Sequence, residues 1–204
     1  MTSAPVRDPL ADHFLTPENA AFLLIDYQPP QMSTVRSMDS ALLSENVVST
    51  VRTIKAFGVP VVHSTVNVVA NGLPPTLPVF ADLLADDKPL DRTTVNSWED
   101  AEFLAAVRAI GRRKLLICAL WTEVCMAFTA LDALHDGYEV YPVVDAIAGT
   151  SPEAHRAGLE RVSLAGGQPI SWVSLACGLQ RDWARTETVP AIVDIVLTDR
   201  LTKE

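Results

Sequence analysis

The chain has 204 residues, a formal charge of −9 and 49% apolar residues, which suits one domain with a sizeable buried core. An acidic surface repels phosphate backbones and anionic lipid, so composition argues against nucleic acid and membrane as partners. The apolar runs are too short to span a bilayer, and MTSAPVRDPLADHF has no apolar signal core, so a cytoplasmic protein is expected.

In chain order, the first strand is expected at Ala20–Asp26. Leu43, Val47, Val51 and Ile54 then fall on one helical stripe that leads to Gly58 and a second strand at Val59–Thr65. The Pro-rich stretch from Val69 to Arg92 reads as a long irregular loop, and such loops are usually functional or interfacial. Ser97 with Asp100 resembles a capping box, followed by a buried face of Phe103, Leu104, Val107 and Ile110. Further strands are expected at Lys114–Leu120, Glu139–Val144 and Pro169–Val173. Between the last two, Ser151 caps a helix over Pro152–Leu164 with proline at its first position. Glycines at 58, 111, 137 and 166–167 each precede an apolar run, as expected where a helix ends and a buried strand begins. This alternation predicts βαβ units around a parallel sheet. Residues 1–16 read as an N-terminal arm. Residues 186–204 read as a terminal helix and tail, with apolar Val189, Ile192, Val193 and Val196 available to the chain itself or to a partner subunit.

In an open parallel sheet, ligands bind beyond the carboxyl ends of the strands. Three segments reach that edge. In LLIDYQ, Asp26 ends an apolar strand; it serves there either as a cap or ion-pair partner, or as a carboxylate raised in pKa by burial and fit for proton transfer. In LLICALWTEVCMAF, Thr122 or Glu123 opens a helix running to about His135, and Cys125 falls in its first turn. Backbone N–H groups there favour a thiolate and a developing oxyanion, lowering the thiol pKa; the plainer alternative is a small buried hydrophobe, which also suits Cys118 and Cys177. In DRTTVNSWED, Arg92 is a fixed cation, by itself readable as a surface charge. Of the four histidines, only His63 lies within a strand. Three cysteines at no metal spacing, with no H-E-x-x-H, Walker lysine loop or G-x-G-x-x-G, leave no motif for a metal or nucleotide cofactor.

Taken together, LLIDYQ, DRTTVNSWED and LWTEVCMAFTALDALHDGYEVYPVVDA resemble the isochorismatase-like hydrolases, and among them the YcaC-like branch. The likeness runs from about Pro17 to Trp183. It implies a three-layer α/β/α sandwich around a six-stranded parallel sheet, with a catalytic aspartate, basic residue and cysteine that fall on Asp26, Arg92 and Cys125. The family usually carries lysine at the basic position; Lys88 is the substitute if the loop is shifted. A cis peptide is implied at Leu120–Trp121, and an oxyanion hole from the N–H groups of Trp121 and Cys125. Gln28, Asn96, Trp98, Trp121 and Phe128 are the candidate substrate contacts, although core packing or capping explains such residues equally well. The zinc pattern of the nicotinamidase branch is not reproduced, since His63 alone does not make it, so neither metal nor cofactor is expected. The branch also implies a homo-oligomer, a tetramer or octamer.

The expected activity is hydrolysis of a small amide, carbamoyl or related acyl compound through Cys125. A redox-responsive or ligand-binding protein on the same fold is the alternative, and an assembly protein built around the terminal helix and long loop is a third.

Overall fold

The computed structural model describes residues 7–198; residues 1–6 of the expected arm and 199–204 of the expected tail lie outside the described residues. In chain order the elements are β1 (Ala20–Ile25), α1 (Pro29–Ser33), α2 (Ser40–Ala56), β2 (Val61–Val66), α3 (Val68–Asn71), α4 (Pro78–Ala81), β3 (Leu90–Arg92), α5 (Ala101–Ile110), β4 (Lys114–Ala119), α6 (Ala127–His135), β5 (Glu139–Pro142), α7 (Pro152–Leu164), α8 (Trp172–Gln180) and α9 (Val189–Val193). The strands pair in parallel in the order β3-β2-β1-β4-β5. Every residue of β1 and β4 is buried, because helices cover both faces of the sheet and leave these central strands no wet side.

The sheet has five strands rather than the expected six. Residues 168–170 do run beside β5: Gln168 N–H donates to Val140 O (2.8 Å) and Ile170 N–H to Pro142 O (3.0 Å). The pairing stops at one isolated bridge, Val143 to Ile170. Ser171 then caps α8, its side chain accepting from Ser174 N–H, and turns the chain into a helix. Pro142, lacking an N–H, has no donor to add to this pairing.

Other expectations shift locally. Asp100, not Ser97, caps α5, accepting from the N–H groups of Glu102 and Phe103. The 69–92 stretch contains α3, α4, a 3-10 turn and β3. It is pinned by Asp91, which accepts from Thr65 Oγ1 and from the N–H groups of Val68 and Val69. Gly58 and Gly111 close their helices at φ +64° and +69°, a conformation that suits glycine. At the C-terminal end α9 continues into a π-turn over Asp194–Thr198. Ile192 and Ile195 are buried there within the chain, while Val193 faces outward, and Asp194 pairs with Arg52 of α2 at 2.6 Å.

Candidate active site

The sheet order puts β2 and β4 on opposite sides of β1. The connections reverse direction there, at the carboxyl ends of β1 and β4, the place where open parallel sheets bind ligands. Asp26 follows β1 on one side, and a π-turn over Thr122–Met126 follows β4 on the other. Arg92 is the last residue of β3, so all three candidate residues leave the same edge of the sheet.

Asp26 adopts φ +63°, a left-handed conformation uncommon outside glycine and found at sites that over-determine it. Its N–H still donates to Ser64 O at 3.1 Å, and its carbonyl takes Gln28 N–H at 2.8 Å. Its carboxylate is gripped by Arg92: Nη1 to Oδ1 at 3.2 Å and Nη2 to Oδ2 at 2.7 Å. Arg92 Nε donates to Ser97 Oγ at 3.0 Å. The two side chains are 1% and 0% exposed. Lys88 is exposed, and Arg92 is the cation that meets Asp26.

Cys125 is 7% exposed. Its thiol donates to the Asp26 carboxylate, and the Trp121 N–H points at its sulfur. The Leu120–Trp121 peptide is cis. The expectation of a lowered thiol pKa is overturned: burial first, then the Asp26 charge and the hydrogen bond to it, push the thiol up, while Arg92 and the Trp121 N–H oppose them. Sequence shows the helix end but not the carboxylate facing it. Burial also raises Asp26 to about 6, with Arg92 and the Cys125 hydrogen bond holding it down and Asp91 adding to the rise. The proton therefore rests on the sulfur, in a hydrogen bond to the Asp26 carboxylate.

The remaining sequence candidates divide. The Trp121 indole donates to Thr34 Oγ1 at 2.8 Å and to Gln31 O at 3.3 Å, which fixes the ring. Gln28 ties β2 to the long loop, accepting from Val66 N–H and donating to Val66 O and Pro74 O. Asn96 accepts from Trp98 N–H and donates to Asp132, and the Trp98 indole donates to Asp136. These polar groups are committed to the frame. Asn96 and Phe128 meet at a cavity of about 300 Å³, shared with Val95 and Arg161, whose lining includes none of Asp26, Arg92 and Cys125. His63 is held by Asp87 O and Thr76 Oγ1.

Sequence reasoning missed the support behind the π-turn. His155, within the expected helix over Pro152–Leu164, is half-buried, with Nδ1 2.8 Å from Thr122 Oγ1. Glu123 Oε1 takes both the N–H and the hydroxyl of Thr150. Ser97 was readable only as a cap. No spacing rule links 122 to 155 or 92 to 97; the first follows from α7 packing on the π-turn, the second from the chain folding back after β3.

An isochorismatase domain profile matches residues 20–174. The chain belongs to the isochorismatase family. Within it the likeness is to YcaC proteins: the chain is 36% identical to the probable hydrolase YcaC of Escherichia coli over 172 residues, 83% of this chain and 81% of that one. In structure it superimposes on YcaC from Pseudomonas aeruginosa, solved with hexane-2,5-diol and covalent acrylamide, with TM-score 0.85 and 30% identity over 92% of this chain and 93% of the other. It superimposes equally on Escherichia coli YcaC, described as an octameric hydrolase of unknown specificity (TM-score 0.85, 29% identity, the same coverage). This isochorismatase-family hydrolase thus sits in the YcaC-like branch. Among its described residues no helix is long and apolar enough to cross a membrane, and no group of three or more His, Cys, Asp or Glu could hold a metal ion.

Proposed function

We propose that this chain hydrolyses the C–N bond of a small amide, carbamoyl or related acyl compound, with Cys125 as nucleophile. The observation that carries the reading is the buried relay of Cys125 thiol, Asp26 carboxylate and Arg92 guanidinium. Asp26 takes the thiol proton as the sulfur attacks the carbonyl carbon. The N–H groups of Trp121 and Cys125 receive the developing oxyanion. The C–N bond breaks as Asp26 returns the proton to the leaving nitrogen, leaving a thioester. Asp26 then draws a proton from water, which attacks the thioester and releases the acid and the thiol. Arg92 keeps Asp26 oriented and ionisable but moves no proton, because a guanidinium stays charged. The covalent acrylamide in Pseudomonas aeruginosa YcaC supports an activated nucleophile and tolerance of an amide in a relative of this similarity. The octamer of Escherichia coli YcaC supports a homo-oligomer, the acidic composition speaks against nucleic-acid or membrane partners, and we take the enzyme to be cytoplasmic.

The test is intact-mass spectrometry of wild type and Cys125→Ala after brief exposure to pooled small amides, esters and carbamoyl compounds, quenched in acid. A mass gain in the wild type alone is expected, and its size names the acyl group. No adduct, with Cys125 alkylating like an ordinary thiol, sinks the reading. The sensor alternative is disfavoured, because Cys125 is buried and its thiol pKa is raised, whereas oxidation sensors are exposed and easily ionised.

A further inference from the structure

We propose that the site selects uncharged amides and turns away those carrying a carboxylate beside the scissile carbonyl. This rests on the Cys125 reading above and narrows its substrates. A site that recognises an anionic substrate needs a cation with donors to spare, typically an arginine fork facing the ligand. Arg92 is not placed to be one. Nη1 and Nη2 each give an N–H to Asp26 and Nε gives its own to Ser97, three of the five guanidinium donors. With the side chain 1% exposed, the other two N–H groups are closed off from an incoming ligand, and a substrate carboxylate reaches the guanidinium only by displacing what already packs on it.

The charges near the reacting sulfur point the same way. Arg92 and Asp26 neutralise each other, and Asp91, one residue before Arg92, adds a negative charge felt at Asp26. Moving the thiol proton to Asp26 only exchanges one anion for another, so no stage of the reaction frees a positive charge. The chain as a whole carries −9, which repels anions at longer range.

Two electrophiles of nearly equal size and opposite charge character test this: iodoacetamide and iodoacetate. In each, sulfur displaces iodide from carbon, the S–C bond forming as C–I breaks, and the thiol proton passes to Asp26 or water. Rates at Cys125 and Cys177 are read separately by peptide mass spectrometry, with the exposed Cys177 as reference within the same molecule. The amide-to-acid rate ratio at Cys125 is expected to exceed that at Cys177 by about tenfold. In Asp26→Asn both reagents lose the base equally but Arg92 is no longer neutralised, so the ratio at Cys125 should fall to or below that of Cys177. A wild-type ratio at Cys125 no higher than at Cys177 overturns the proposal, as does an unchanged ratio in folded Asp26→Asn. If that variant does not fold, the wild-type comparison decides alone. Failure of the hydrolase reading looks different: the ratio would stand while pooled amides leave no acyl adduct.

Discussion

Arg92 holds both oxygens of Asp26, at 3.2 and 2.7 Å, from a strand 66 residues away in sequence, and neither side chain is more than 1% exposed. A buried pair of this kind is poor evidence of stabilisation, because removing two ions from water offsets most of their attraction. Its effect is to keep a carboxylate ionisable where burial alone would leave it protonated, and Cys125 places its proton against that carboxylate. Two predictions follow from the pair and one from the packing behind it.

The first concerns pH. Asp26 must be ionised to accept the thiol proton, and its pKa is raised from 3.8 to about 6. The rate of acyl-adduct formation should therefore rise through pH 6 and level off above it. Asp26→Asn should remove that limb and slow the adduct by about 10²–10⁴-fold, the usual contribution of a positioned base. Stability runs the other way. A carboxyl whose folded pKa lies above its unfolded value favours the folded state most below pH 3.8, and that contribution is lost as the pH climbs through 6. The difference amounts to about 3 kcal/mol, so in Asp26→Asn the unfolding free energy should fall less between pH 4 and pH 7 than in wild type. Urea titrations across that range check it, and identical slopes would refute the assignment.

The second concerns Arg92. Replacing it by Met leaves Asp26 buried without its cation, and breaking such a pair costs about 3–5 kcal/mol. The loss should be largest at pH 8 and shrink by pH 5, where Asp26 takes up a proton and the uncompensated charge disappears. Ser97→Ala is the milder relative: Arg92 Nε loses its acceptor, at a cost of about 1–3 kcal/mol. Denaturant midpoints of the two variants at both pH values give the comparison, and a loss for Arg92→Met independent of pH would show that Asp26 is not the group left exposed to the change.

Much of this site is legible in sequence, for identifiable reasons. β1 and β4 are long apolar runs between turn residues, so Asp26 and the Cys125 turn are placed by where those runs end. β3 is three residues long and has no periodicity to read, so Arg92 was legible only through resemblance. The expected strand at Pro169–Val173 mistook the β-branched start of an apolar stretch for its whole character. Trp172, Leu175, Ala176 and Leu179 are the buried apolar residues of α8 and stand at helical spacing, a pattern that outlasts the strand-like beginning. The raised thiol pKa was beyond reach from local sequence. It is set first by burial in the folded chain and then by a carboxylate 99 residues away, while the helix-end argument for a lowered value considered only the turn itself.

The third prediction tests whether α7 holds the catalytic turn by backbone contact. A methyl group at Gly158 would lie 2.9 Å from Glu123 Cα and 3.0 Å from both Glu123 N and Thr122 O. These are main-chain atoms of the π-turn that carries Cys125, so no side chain can swing aside and α7 must move. Gly158→Ala should destabilise the fold by about 1–3 kcal/mol, as overpacking does, and should slow adduct formation at Cys125 by displacing the Trp121 and Cys125 N–H groups. Gly178→Ala is the matched control in α8. Nothing lies within 4 Å of its added methyl, so only the helix-propensity gain remains, about 0.5–1 kcal/mol of stabilisation, with the adduct rate unchanged. Thermal melts and adduct rates for the two variants separate the effects. If Gly158→Ala matched Gly178→Ala in both, α7 would be packing beside the turn without holding it.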